Sequence, residues 1–251
     1  PQLRLNTQSL HPLLTGKPLA LLLYLAVTGQ PHTRDVLATV LWSELSIQQA
    51  RNNLRYVLPI LRRVVAPYLQ VTTQTISFNR QVPYWQDVEV LRKTLQGNLF
   101  TLNTEQLQTT LDLYQGEFLA GFRVRNAPAF VAWLATQRQQ LHTLMLQGLL
   151  HLAERQLAHH DHTASQLTRQ RLRALATHPS SDLLTVLTQS GIDLTQYQPL
   201  IPWLKTGETR PSALSASAKR AAGTYALRKT ECEILVSAAG AGDGVTSDEK
   251  L

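Results

Sequence analysis

Arginine and amide side chains within residues 46–63 have the types and the spacing for contacts with nucleic acid. Arg51 and Arg55 are four residues apart, and Asn52 precedes Arg55 by three, so in a helix all three lie on one side. An arginine guanidinium can donate two hydrogen bonds to O6 and N7 of guanine, and an asparagine amide pairs with adenine in a similar way. The segment is therefore a candidate for reading bases in DNA.

The other candidate residues for contact with DNA lie on the same helical face or in the segments beside it. Arg34 begins the preceding predicted helix, where free backbone N–H groups favour a phosphate. Thr73 and Gln74 form the centre of a predicted hairpin. We predict that these residues contact DNA together with a larger set, which consists of Gln48, Gln49, Arg51, Asn52, Arg55, Tyr56, Arg62, Arg63 and Arg80.

The positive charge of the chain is concentrated near its N-terminal end. Residues 1–80 contain eight Lys and Arg residues against two acidic ones, so this segment carries +6 of the total net charge of +7. Arginine outnumbers lysine 18 to 6 in the whole chain, and its planar guanidinium suits bidentate contacts with phosphate and guanine. The asymmetry predicts a polyanion-binding module followed by a module with another role. A solvated basic face without a partner is the alternative.

A histidine cluster is the densest group of metal-ligand residue types in the chain. It consists of His151, His159, His160 and His162 with Asp161. Adjacent histidines point to different faces of a helix, and the cluster lies where one predicted helix ends and the next begins. The pattern favours a solvated turn over a zinc site, and adventitious capture of nickel or zinc is the alternative.

The sequence lacks the motifs of the common nucleotide-binding and hydrolytic enzymes. It contains no phosphate-binding loop, no dinucleotide-binding glycine motif, no serine nucleophile elbow and no His-Glu-x-x-His zinc motif. Its one cysteine, Cys232, stands between Glu231 and Glu233, whose negative charges disfavour a reactive thiolate. We therefore expect no enzymatic activity, no cofactor and no bound metal.

Cysteine content and hydropathy indicate the compartment. A single cysteine excludes an internal disulfide and favours a reducing environment. The longest apolar run, residues 19–27, has nine residues, whereas a membrane-spanning helix needs about 18 or more. We expect a cytoplasmic protein without a membrane span. The run also fits the apolar part of a secretory signal peptide, but a buried first helix explains it more simply.

Three helices and a hairpin are predicted to position the candidate DNA-binding residues. Residues 19–27 form the first helix, and Thr33 and Ser46 are the predicted N-caps of the second and third. Residues 69–72 and 75–78 alternate as the strands of a hairpin. This order is that of a winged helix, in which the third helix enters the major groove and the hairpin reaches the backbone or the minor groove.

Two residues are predicted to end or bend these helices. Gly29 closes the first helix, with Pro31 just beyond it. Pro59 falls within the third helix, where it removes a backbone hydrogen bond and clashes with the preceding turn at a cost of ~3 kcal/mol in an ordinary helix interior. We therefore predict a kink or an early helix end at Pro59.

The remainder of the chain is predicted to form a second, helical module and a tail. The apolar spacing in residues 86–190 predicts helices only, among them a long one over 128–158, and paired helices of this length resemble tetratricopeptide units. Residues 191–251 lose this periodicity and are predicted to be a poorly structured tail. The predicted fold is mainly α: a winged-helix DNA-binding domain over 1–82, a helical tetratricopeptide-like domain over 86–190, and the tail.

Two separated signatures in the sequence resemble those of one known family. The first comprises residues 17–35 (KPLALLLYLAVTGQPHTRD), Leu41-Trp42 and residues 50–55 (ARNNLR), and the second is residues 113–122 (LYQGEFLAGF). Together they resemble the Streptomyces antibiotic regulatory proteins, which join an OmpR-like winged helix to a bacterial transcriptional activator domain. The resemblance extends from about residue 13 to about residue 180, and the chain is expected to be shortened at both ends relative to the family.

The resemblance implies a function for each module. The helix that holds Arg51 and Arg55 is expected to be the recognition helix, and the hairpin near Thr73 the wing. The second module is expected to support dimerisation or contact with partners such as RNA polymerase. We therefore predict a sequence-specific regulator of transcription, in particular an activator, that binds double-stranded DNA. The alternative is a protein-interaction scaffold whose winged helix no longer reads DNA.

Overall fold

The architecture is given by a computed structural model of the 251-residue chain, and it describes residues 2–5, 8–10, 13–176, 183–206 and 234–237. These residues are mainly helical and include a small three-stranded antiparallel sheet, which confirms the predicted mainly-α class. The chain divides into two compact units, Pro1–Met145 with Cys232–Leu251, and Leu146–Glu231. The division falls inside a helix, whereas the sequence predicted a domain boundary between residues 82 and 86.

The described residues contain nine α-helices and three short 3-10 segments. The α-helices are α1 (Gly16–Thr28), α2 (Arg34–Leu41), α3 (Ile47–Val65), α4 (Asp87–Leu95), α5 (Thr104–Asp112), α6 (Pro128–Ala158), α7 (His162–Ala176), α8 (Leu183–Gln189) and α9 (Ile201–Thr206). The 3-10 segments are Ala66–Tyr68, Leu99–Thr101 and Leu194–Leu200. Within these residues, no helix is both long enough and apolar enough to cross a bilayer.

Seven short strands in the same residues form two sheets. The strands are β1 (Gln2–Leu5), β2 (Gln8–Ser9), β3 (His32–Thr33), β4 (Leu69–Val71), β5 (Thr75–Phe78), β6 (Tyr84–Gln86) and β7 (Ile234–Ser237). The three-stranded antiparallel sheet has the order β3-β5-β4, and the four-stranded sheet has the order β2-β1-β7-β6.

Helix α1 is the buried centre of the first unit. Every residue from Leu19 to Val27 is buried, as expected for a run of apolar side chains on all sides of a helix. The helix ends at Gly29, which has a φ of 64° and donates its backbone N–H to the carbonyl of Leu25 at 3.0 Å. A Cβ at Gly29 would approach the Arg80 guanidinium to 2.1 Å. The predicted end of the first helix is therefore confirmed.

Local capping signals start α2 and α3 where the sequence predicts them. The Thr33 side chain accepts the Val36 N–H at 3.3 Å. Ser46 and Gln49 form a capping box, in which the Ser46 hydroxyl accepts the Gln49 N–H at 3.4 Å and the Gln49 side chain accepts the Ser46 N–H at 3.2 Å. These bonds satisfy N–H groups that the first helical turn leaves free.

Helix α3 continues to Val65, six residues past Pro59. The predicted early helix end at Pro59 is therefore wrong. Leu58 and Leu61 are buried on either side of the proline while Pro59 itself is exposed. Packing of this apolar stripe offsets the hydrogen bond that proline cannot donate to the Arg55 carbonyl.

The predicted hairpin is present as β4 and β5. Its register pairs Leu69 with Phe78 and Val71 with Ile76. The Thr72 hydroxyl accepts the backbone N–H groups of Gln74 at 3.2 Å and Thr75 at 2.8 Å, which fixes the turn. The two-residue strand β3 adds to the other edge of β5; it is too short to produce a periodic signal in the sequence.

The four-stranded sheet joins segments that are far apart along the chain. Strand β1 is antiparallel to both β2 and β7, and β6 is parallel to β7. Residues 191–251 were predicted to be a poorly structured tail, and within them the 3-10 segment Leu194–Leu200, α9 and β7 form. Residues 207–233 and 238–251 of the predicted tail lie outside the described residues.

The second unit contains the end of α6, then α7, α8 and α9. Two buried hydrogen bonds link α6 and α7: the Ser165 hydroxyl donates to the Ala153 carbonyl at 3.0 Å, and the Thr168 hydroxyl donates to the Gln156 side chain at 2.7 Å. These bonds favour one pairing of α6 with α7, because a buried polar group without a partner would lose its hydrogen bonds to water and gain none in return.

Candidate nucleic-acid interface

A cleft of about 640 Å³ lies between the N-terminal part of α3, the start of α2 and the turn of the hairpin. It is lined by Thr33, Arg34, Asp35, Gln48, Arg51, Asn52, Leu54, Arg55, Thr73 and Gln74. Seven of these lining residues belong to the set that the sequence predicted to contact DNA. Three arginines against one aspartate give the lining an excess of positive charge.

Helix α3 is amphipathic, and burial of its apolar side leaves its polar side facing this cleft. Ala50 and Leu54 are buried, whereas Arg51, Asn52 and Arg55 are exposed. At 3.6 residues per turn, the apolar positions form one stripe and the polar positions form the opposite face. The hydrophobic effect that attaches α3 to the core therefore also directs its amide and guanidinium groups outward.

Arg51 is held by a carboxylate from the neighbouring helix. Its Nε donates to Asp35 Oδ1 at 2.5 Å, and its Nη2 donates to Asp35 Oδ2 at 2.6 Å. The two side chains are 49% and 50% exposed. Hydrogen bonding from the guanidinium lowers the pKa of Asp35, and the same bonds raise the pKa of Arg51. Asp35 was not among the predicted contact residues, because an aspartate is common in the first turn of a helix and its partner lies 16 positions away.

Arg34 connects the start of α2 to the hairpin turn. Its Nε donates to the carbonyl of Thr73 at 3.1 Å, and its Nη2 donates to the carbonyl of Thr72 at 2.9 Å. Its backbone N–H donates to the carbonyl of Gln74 at 3.3 Å. These contacts hold the hairpin turn at one side of the cleft. Arg34 was predicted to contact phosphate, and the structure also gives it this positioning role.

Five predicted residues lie outside the lining of the cleft. Gln49 belongs to the capping box. Tyr56 is 77% exposed on α3, and Arg62 and Arg63 are exposed in the last turn of that helix. Arg80 lies against Gly29 and pairs with Glu89 at 3.5 Å.

A small polar cluster surrounds the partner of Arg80. The Tyr84 hydroxyl donates to Glu89 at 2.7 Å. Burial, followed by the hydrogen bond to this carboxylate, raises the pKa of Tyr84 to about 12. The nearby Arg80 guanidinium acts in the opposite direction on that pKa. Arg80 therefore contributes to local structure as well as to the positive charge of the segment.

The histidine cluster is divided between a helix interior and a turn. His151 is buried within α6. His159 and His160 are exposed in the turn between α6 and α7, and His162 is exposed at the start of α7. In the part of the chain that the structure describes, no group of three or more histidine, cysteine, aspartate and glutamate side chains is arranged to hold a metal ion. Cys232 lies outside the described residues.

No protein-family model matches the chain, and no curated protein sequence matches it. The resemblance to the Streptomyces antibiotic regulatory proteins therefore stays a prediction.

Proposed function

We propose that the chain is a sequence-specific regulator of transcription that binds double-stranded DNA and inserts α3 into the major groove. In this proposal α1, α2, α3 and the β4–β5 hairpin act as a winged helix. The observation that carries it is the cleft, in which seven of the residues selected as DNA contacts share one lining. The resemblance stated above favours an activator.

The dimensions and chemistry of α3 agree with this proposal. An α-helix with its side chains is about 10–12 Å wide, and the major groove of B-DNA is about 12 Å wide. Arg55 and Asn52 carry the donors for guanine and adenine edges. Arg62 and Arg63, past Pro59, are better placed for phosphates beside the groove. Thr73 and Gln74 at the hairpin turn would contact the backbone or the minor groove.

The proposed role of the second unit is to bind another protein. We propose that its helices form a tetratricopeptide-like domain that binds a second copy of the chain or RNA polymerase. The tight connection of α6 and α7 through residues 159–161 and their two buried hydrogen bonds support a helical hairpin of this type. The proposal also includes a cytoplasmic location and the absence of catalysis, a cofactor and a bound metal.

Selection of bound sequences from a random duplex pool, followed by fluorescence anisotropy on the selected duplex, tests the function. We expect specific binding that weakens steeply as salt rises, because binding releases counterions from phosphates. Arg55→Ala should weaken this binding. Its matched control is Arg173→Ala in α7, which also removes one positive charge but lies far along the chain from the cleft residues. Equal weak affinity for every duplex would contradict sequence-specific recognition.

A protein-interaction scaffold is the second candidate. Tyr56 is 77% exposed and Ile60 is 45% exposed on the outer side of α3, and aromatic side chains such as tyrosine are enriched in protein-binding surfaces. For this candidate, the double variant Arg51→Ala/Arg55→Ala would retain its protein partner with unchanged affinity in a pull-down. The wild-type chain would then select no duplex from the pool.

A further inference from the structure

Asp35, the partner of Arg51, lies in a cleft that is otherwise lined by basic and uncharged side chains. Asp35 is the one acidic residue in the lining of the cleft, and a carboxylate there repels the phosphates of DNA. Charge complementarity alone therefore does not account for its position. Its two oxygens both accept hydrogen bonds from the same guanidinium.

The geometry of this pair leaves one edge of the guanidinium open. A guanidinium has a side edge, formed by Nε and Nη2, and an end edge, formed by Nη1 and the second N–H of Nη2. Asp35 accepts from the side edge of Arg51. The end edge therefore keeps the pair of parallel N–H donors that matches O6 and N7 of guanine.

Pairing with Asp35 also restricts the motion of a long side chain. A free arginine loses side-chain entropy when it binds a base, whereas one that is already held loses less. The bonds to Asp35 span α2 and α3, so they also set the position of the guanidinium relative to both helices. A donor fork that is fixed before binding discriminates better between bases, because it cannot adapt to a mismatched edge.

We propose that Asp35 and Arg51 form one reading unit for a guanine, in which Arg51 contacts the base and Asp35 is the positioning residue. This inference rests on the proposed DNA-binding function and assigns a specificity determinant within it. Arg55, which lies one turn further along α3 and makes no ion pair among the described residues, reads a separate position.

The test compares base preference in Asp35→Asn with that in Glu44→Gln. Both changes remove one negative charge from the first unit, but Glu44 does not line the cleft. Each full-length variant is titrated against the duplex selected by the wild type and against duplexes in which each guanine of that site is replaced in turn. Circular dichroism and thermal melting confirm that each variant is folded.

We expect Asp35→Asn to reduce the preference for guanine at one position by about tenfold, the size of one good bidentate contact. Its affinity for an unrelated duplex should be equal to that of the wild type or higher, because a charge that repels phosphate is lost. Glu44→Gln should keep the guanine preference. Arg51→Lys, which keeps the charge but not the fork, should lose the preference at the same position as Asp35→Asn.

A double-mutant cycle tests whether the two residues act as a unit. Asp35→Asn combined with Arg51→Ala should lose no more guanine preference than Arg51→Ala alone, since Asp35 acts through Arg51. Full guanine preference in Asp35→Asn, or a loss that adds to that of Arg51→Ala, would overturn the reading unit while leaving DNA binding intact. A wild-type chain that selects no duplex would overturn the proposed function, and this inference with it.

Discussion

Helices α3 and α7 both carry several arginines, but the two helices use them differently. In α3, Arg55 is exposed and lines an open cleft. In α7, the guanidinium groups of Arg169 and Arg173 lie over the ring of Trp203, at 5.3 and 5.0 Å from its centre. These arginines cover an aromatic ring of their own unit, and burial lowers the pKa of Arg169. An arginine-rich helix can therefore hold its guanidinium groups against its own unit instead of lining a cleft with them.

Matched arginine variants in α3 and α7 should differ most in their effect on DNA binding. Arg55→Ala should weaken binding to the selected duplex by about 1–3 kcal/mol and relax the preference at one base pair, because it removes a direct contact with a base edge. Arg173→Ala should leave that affinity unchanged. Fluorescence anisotropy with the selected duplex and a single-base variant measures both effects. Equal losses in the two variants would show that net charge, and not the cleft, determines binding.

Pro59→Ala tests whether the residues of α3 that contact bases all precede the proline. The substitution restores an N–H that can donate to the Arg55 carbonyl, so we expect unfolding of the first unit to cost about 2 kcal/mol more. Base preference should not change, because Arg51, Asn52 and Arg55 all precede Pro59. Thermal denaturation and anisotropy with two duplexes that differ at one base pair measure the two expectations. A lower melting temperature would show that packing around Leu61 requires the proline.

Trp203→Ala tests the structural role of the arginines in α7. Loss of the ring removes two cation–π contacts, so we expect the second unit to lose about 1–2 kcal/mol of stability. Affinity for the selected duplex should remain that of the wild type. Chemical denaturation followed by circular dichroism measures the stability change, and anisotropy measures the affinity. A stability that does not change would show that the stacked arrangement contributes little.

Arg34→Ala should have a small effect on affinity and none on base preference. The guanidinium bonds to the Thr72 and Thr73 carbonyls position the hairpin turn, so their loss should weaken binding to every duplex by about 1 kcal/mol. The dependence of log affinity on log salt should become shallower by roughly one, as for the loss of a phosphate contact. Arg123→Ala, an exposed arginine outside the cleft lining, is the control. A change of base preference in Arg34→Ala would place this residue among the base contacts.

Sequence patterns predicted the elements around the cleft well because their signals are local. The caps at Thr33 and Ser46, the glycine at residue 29 and the alternation in β4 and β5 each depend on neighbours within a few positions. The early helix end predicted at Pro59 was wrong for the complementary reason. A helix propensity describes the isolated segment, whereas the buried Leu58 and Leu61 hold α3 together beyond the proline.

The 3.6-residue period and the apolar types of Ala50 and Leu54 are enough to predict which side of α3 is polar. Contacts between distant segments set which of those polar groups the protein itself holds in place. The Arg51–Asp35 bonds join residues 16 positions apart, and the Arg34 bonds to the hairpin turn join residues 38 and 39 positions apart. The pairing of β1 with β7 is also a contact between distant segments. No local period encodes such contacts, because they depend on how the core brings separate elements together.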